Sequence, residues 1–419
     1  MNRTALLPLA LILATPAFAA RSPEQVAAAA LKAAPVWDGH NDVPEQLRDR
    51  TGDLLEGFDF RDTRNTASEG KIAMQTDLTR LKQGHVGAQF WSVYVDYRLP
   101  EPEAVRQTIE QIDTIKRLVA RYPGEMMLAT SSADVERAMK GGKIASLIGM
   151  EGGGSIGGSL AVLRQMHALG ARTMTLAHYK TTAWADSSND LPRHGGLSDF
   201  GSRVVREMQR LGMLVDLSHC SEDTMNDALD VSGAPVVFTH SNARSVNGHA
   251  RNVPDAVLDR VKVNGGLVMV TAVTSFVSED YRVWTADKAS EEARLKSLHT
   301  GFPDRIAPVL TAWTAAHPAP LVSVARIADH VDHIAKRIGV DHVGIGGDFD
   351  GMGEGPEGFE DVSTYPNLFA ELARRGYSQA DLEKISSRNM MRVLRGAEAY
   401  AAAHRGDPPI ETKAVTVGG

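Results

Sequence analysis

Short apolar runs ending in Gly, Asp, His or Glu recur along the chain, each followed by an amphipathic stretch, which is how strand-to-helix units of a parallel sheet read. Eight runs read as strands: near Val36 to Gly39, Ala88 to Val93, Ile144 to Gly149, Thr173 to Ala177, Met213 to Leu217, Val236 to Thr239, Leu267 to Thr271 and His342 to Ile345. Eight such units fit a closed (β/α)8 TIM-like barrel better than an open α/β sheet. The intervening helices have legible ends. Ser159 precedes Leu160, Leu163, Met166 and Leu169 on one face, and Gly170 stops them; Ser198 and Gly212 bracket Val204, Val205, Met208 and Leu211 in the same way. Longer inserts fall at Thr51 to Thr76 and Val277 to Pro320, the second expected as loops or helices outside the barrel.

The flanks read differently. Arg3, the apolar stretch Ala5 to Ala14 and the triplet Ala17-Phe18-Ala19 follow the grammar of a secretory signal, so residues 1–19 are expected to be removed on export to the periplasm or outside. Residues 20–403 are expected to form one barrel domain, and 404–419 a disordered tail. The apolar run is too short to span a bilayer, so no membrane anchor is expected after processing. The only cysteine, Cys220, rules out an internal disulfide and lies far from any lipoprotein cleavage site. A net charge of -7 with no basic stretch argues against nucleic acid or anionic membrane as a partner.

In a barrel of this kind the chemistry lies at the carboxyl ends of the strands. There the chain offers His40-Asn41-Asp42, Glu151-Gly152-Gly153, His178, Ser218-His219, Thr239-His240 and Gly346-Gly347-Asp348-Phe349-Asp350-Gly351. Imidazole and carboxylate suit zinc. His40 and Asp42, two apart on an extended segment, point the same way and can share one ion, while Glu151 has two oxygens with which to bridge to a second ion completed by His219 and His240. Two zinc ions so held would keep a water or hydroxide between them, ready to attack a carbonyl at neutral pH. His85, His167, His194, His299, His317, His330 and His333 lack this context and read as surface or helix residues, and Cys220 reads as a buried bystander. Gly152-Gly153-Gly154 lacks the partners of a phosphate loop, and no Gly-x-Ser-x-Gly nucleophile elbow is present in a strand-turn-helix context.

Taken in order, Trp37 to Asp42, Glu151-Gly152-Gly153, Asp216-Leu217-Ser218-His219, Arg251-Asn252-Val253-Pro254-Asp255 and Gly346 to Gly351 with Pro356-Glu357-Gly358 resemble the membrane dipeptidase (renal dipeptidase) family, from about Ala34 to Leu394. The resemblance implies a metal-dependent amidohydrolase barrel that binds two zinc ions and hydrolyses dipeptides, with His40 and Asp42 on one zinc, Glu151 bridging, and His219 and His240 on the other. It further implies His178 as a substrate-contacting histidine, Arg251 as the carboxylate-binding arginine, Asp348 as the acidic substrate contact, and a homodimer. Glu151, His178 and Asp348 are thus the expected catalytic residues. An aromatic contact to the substrate carboxylate in some members falls near Phe276, which lacks the hydroxyl. Unlike animal members with disulfides and a lipid-anchor signal, this chain resembles an unanchored bacterial type.

Two other readings stand beside it. Another amidohydrolase activity, such as a D-amino-acid deacylase or a lactonase, would use the same barrel, although those barrels commonly begin with His-x-His. A metal-stabilised binding protein without turnover would retain the ligands but has no need of Asp348 and Arg251.

Overall fold

Burial on both faces explains why the apolar runs become strands, because every residue of Val36–Asn41 (β1) and Ile144–Glu151 (β4) is buried and all but the last of Val86–Tyr94 (β2). The computed structural model describes residues 21–416. With Ala171–Thr175 (β5), Leu214–Asp216 (β6), Val237–Phe238 (β7), Leu267–Val270 (β8) and Val343–Ile345 (β9), these strands are all parallel in the order β2-β1-β9-β8-β7-β6-β5-β4, and β2 pairs with β4 to close the ring. The fold is a (β/α)8 barrel.

A short strand that the sequence pattern does not announce, Met126–Leu128 (β3), pairs with the beginning of β4, on the edge that β5 occupies further along. The helix starts and stops behave as expected. Ser159 accepts from the Val162 N–H and Ser198 from the Gly201 N–H, while Gly170 and Gly212 take the left-handed backbone that ends each helix. The insert after Val277 forms two helices, Glu279–Leu298 and Ile306–Ala316. Leu295 is the buried residue of the first and the second has none, so the pair lies outside the core.

The proposed export signal, residues 1–19, lies outside the described residues. The end of the chain departs from expectation. Instead of a free tail from residue 404, Ile410 and Val415 pack on the core, the Ile410 N–H donates to Glu207 at 3.2 Å, and the Val415 N–H donates to the Gly158 carbonyl at 3.0 Å. Polar composition suggested disorder, but two apolar side chains and two backbone hydrogen bonds suffice to seat the strap.

The loops that follow β1 and β9 are laced together at the carboxyl end of the barrel. The Asp42 N–H donates to the Phe349 carbonyl at 3.0 Å, and the Asp348 N–H donates to the His40 carbonyl at 3.2 Å. Three candidate site residues therefore share one rigid junction.

Candidate metal centre and active site

His40, Asp42, Glu151, His219 and His240 come together at this end of the barrel, all buried. His40 lies 3.4 Å from Asp42 through Nε2 and Oδ2, as two side chains on one side of an extended segment must. Glu151, the last residue of β4, divides its oxygens. Oε2 lies 3.4 Å from His40 Nε2, whereas Oε1 lies 3.0 Å from His219 Nε2 and 3.4 Å from His240 Nε2. One carboxylate thus faces two groups of donors.

The sequence separates ligands from substrate contacts more sharply than the geometry does. His178 sits 3.5 Å from Glu151 Oε1 and falls within one potential ligand group with Glu151 and His219; Asp348 does so with His40 and Asp42. The buried Nε2 of His40 makes no hydrogen bond, and the Nε2 atoms of His219 and His240 stand 2.9 Å apart. Buried imidazole nitrogens and carboxylate oxygens that converge in this way are a donor set that suits a metal ion.

Electrostatics favours a cation at the same place. Burial raises Asp42 well above the ordinary carboxylate range, and the neighbouring Glu151 and Asp348 charges add to this against the pull of His40. Burial alone would lower His40, yet the Glu151 and Asp42 carboxylates hold it well above its usual value. Burial lowers His219 and His240, with Arg251 adding to the first and His40 to the second, so both rings are neutral, as a metal-binding imidazole must be. The carboxylates call for positive charge where neutral imidazoles can share in binding it.

Backbone strain marks the site. His219 and Asp348 both have φ of 65°, a conformation that costs a non-glycine residue roughly 1–3 kcal/mol. Gly351 is required between Asp42 and Asp348, because a Cβ there would collide with Asp42 Oδ2 and approach Asp348 Oδ1 to 2.8 Å.

Beside the cluster lies a cavity of about 230 Å³, lined beyond the clustered residues by Glu45, Tyr94, Tyr179, Arg251, Val273 and Phe276. Arg251 is fully buried. Its two terminal nitrogens donate to the His240 carbonyl at 3.1 Å and the Ser241 hydroxyl at 3.3 Å, its Nε has no partner, and its guanidinium lies 5.4 Å from the centre of the Phe276 ring. Phe276 therefore touches the arginine itself. Burial lowers His178 to about 4, with the charge of Arg251 adding to this and Glu151 opposing, so its ring is neutral at pH 7. A wider cavity of about 470 Å³ opens next to the first and shares Glu151 and His178 with it.

Several roles in the site escaped the sequence reading. Ser92 donates to Glu151 Oε2 at 2.9 Å, and Asp216 receives the hydroxyls of Thr175 and Thr239 at 2.7 and 2.6 Å. Glu45 and the two tyrosines of the cavity wall were also passed over. The three-residue spacing from Asp42 to Glu45, one helical turn, was the available signal for the glutamate. His330, read as a surface or helix residue, is helical but fully buried, because its ring joins the Ala243 N–H to the Val277 carbonyl. Cys220 is buried and its burial pushes the thiol up, which keeps it protonated.

Residues 24–407 match the family described as membrane dipeptidase (peptidase family M19). The chain is 41% identical over 387 residues to dipeptidase tcpJ of Claviceps purpurea, covering 90% of this chain and 80% of that one. It is 40% identical over 385 residues to dipeptidase 3 of Mus musculus, covering 90% and 68%. Among solved structures, that of the probable dipeptidase PvdM from Pseudomonas aeruginosa superposes with a TM-score of 0.74 at 23% identity, covering 90% of this chain and 99% of that one, a likeness of fold. With the barrel, the clustered donors and a family match over most of its length, this chain belongs to the membrane dipeptidase family, peptidase family M19.

Proposed function

We propose that this protein is a zinc-dependent dipeptidase that takes two metal ions, with His40 and Asp42 on one, His219 and His240 on the other and Glu151 shared. The observation that carries the reading is the division of Glu151, one oxygen toward His40 and the other toward His219 and His240. Metal ions held there would activate water and polarise the scissile carbonyl.

The chain's own residues supply the rest. Arg251, which lines the cavity, offers its guanidinium to the carboxyl terminus of a short peptide, and a charge-assisted hydrogen bond of this kind favours substrates with a free carboxylate. His178, neutral at pH 7, can donate a hydrogen bond to the oxygen on which charge develops. Asp348 accepts the free amine or passes a proton to the leaving nitrogen. The Arg3 to Ala19 signal pattern supports export to the periplasm or outside, and the mass of the native protein tests it: an intact Met1 would refute cleavage.

The deciding experiment offers zinc-loaded protein L-L and L-D dipeptides, N-acyl amino acids and lactones. Dipeptide hydrolysis that disappears on chelation and returns with zinc is expected. Preference for the N-acyl or lactone substrates would move the assignment to another amidohydrolase, and no turnover of any would favour a binding protein.

A further inference from the structure

Glu45 is the feature of the cavity that the dipeptidase reading leaves unused. It sits on the first turn of the helix Val43–Thr51, three residues past Asp42, and that spacing places both carboxylates on one side of the turn. A glutamate here would ordinarily reach back to cap the helix. In this protein the Asp42 N–H is taken by the Phe349 carbonyl, and the helix start has no side-chain cap. Nor does a neighbouring cation pair with it. Arg48 donates to the Tyr94 carbonyl at 2.9 Å and Lys71 pairs with Asp49 at 3.0 Å, and among the described residues Glu45 itself has no hydrogen bond or ion pair. Its half-buried carboxylate is pushed up to about 7 by burial, then by Glu151 and Asp49, against the weaker pull of Arg48 and Lys71. A carboxylate lining a cavity without a counter-ion is costly to keep and is suited to a charged ligand.

Its position indicates which charge it would meet. Arg251 follows β7, which stands three places from β1 in the ring (β1, β9, β8, β7), so arginine and glutamate reach the same cavity from well-separated strands. With the substrate carboxylate at Arg251, the amino-terminal residue extends toward β1. The α-amine, two bonds from the reacting carbon, must stay close to the metal-side carboxylate Asp348. Glu45, about one helical turn on from Asp42 and lining the same cavity, is the carboxylate left to meet that residue's side chain.

Building on the dipeptidase assignment, we propose that Glu45 is a specificity-determining residue that recognises a cationic side chain, an alkylammonium or guanidinium, on the amino-terminal residue of the substrate. The test compares Lys-Ala with norleucine-Ala, which has similar length and no charge, on the zinc-loaded full chain. The wild type should favour Lys-Ala in kcat/KM by about ten-fold or more, Glu45→Gln should bring the ratio close to one, and Glu45→Lys should turn preference toward Glu-Ala. Equal losses on Lys-Ala and norleucine-Ala in Glu45→Gln would overturn the proposal and assign Glu45 to the α-amine or to helix stability, which melting curves of the variant separate. A wild type that cleaves norleucine-Ala as readily as Lys-Ala overturns this proposal alone. A wild type that cleaves no dipeptide overturns the dipeptidase assignment and the proposal with it.

Discussion

Thr239 stands 3.0 Å from His240 through Oγ1 and Nδ1, while the same hydroxyl lies 2.6 Å from Asp216 Oδ2. A hydroxyl has one proton to give, and a carboxylate can only accept. The Thr239 proton therefore goes to Asp216, and His240 must donate from Nδ1, which leaves the Nε2 lone pair turned toward Glu151. The carboxylate of Asp216 is fixed in turn by Thr175 and by the Ser218 and Thr239 N–H groups.

Removing that hydroxyl should weaken metal binding without touching a ligand. Thr239→Val is expected to lower zinc affinity by roughly 10- to 100-fold, the usual effect of losing a group that orients a ligating histidine. Competition against a chelator of known affinity measures it; unchanged affinity would show that packing alone orients the ring.

Glu151→Gln should be the most damaging ligand change, since it removes the charge shared between both groups of donors. Elemental analysis is expected to fall from about two zinc ions per chain, with loss of turnover. Full activity in this variant would refute the shared-ligand assignment.

Arg251→Ala should impair dipeptides with a free carboxyl terminus by roughly thirty- to a thousand-fold in kcat/KM while zinc content holds. A dipeptide amide, already a poor substrate, should lose little more. If Arg251 only braces its loop through the His240 carbonyl and Ser241, dipeptide and amide will suffer alike and the melting temperature will drop.

His330 predicts acid lability. Its Nδ1 accepts from the Ala243 N–H at 3.1 Å and its Nε2 donates to the Val277 carbonyl at 2.9 Å, so the neutral ring is satisfied on both sides. Burial lowers it to about 4 from an ordinary 6.5. With the folded value below the unfolded one, the stabilisation is fully present above about pH 6.5 and is lost as pH falls toward 4, by about 2–3 kcal/mol. Urea midpoints at pH 7 and 4.5 should show this loss, and His330→Gln should flatten it. A variant as acid-sensitive as the wild type would place the lability elsewhere.

The barrel and the cluster of imidazoles and carboxylates at its rim could be read from the chain because each apolar run stops at a polar residue that needs a reason to be there, as Ile144 to Gly149 stops just short of Glu151. Met126–Leu128 was invisible because three residues carry no periodicity. Ser92 lies inside a mostly apolar strand that Gln89 also interrupts, and its alliance with Glu151 depends on the pairing of β2 with β4, which no local pattern encodes. Glu45 was hidden for another reason, since an acidic residue in a first helical turn is common and needs no ligand to explain it. The strap at Ile410 and Val415 was missed because its fixation comes from Glu207 and Gly158, far away in sequence.

The full burial of Arg251 has a thermodynamic consequence. Its guanidinium is stripped of water when the chain folds, so an arriving anion does not have to dehydrate it, and the cost has already been set against the stability of the barrel. A charge walled off in this way is also poorly screened by dissolved ions. The anion recognition proposed for Arg251 should therefore persist at ionic strengths that would abolish attraction to an arginine on the surface.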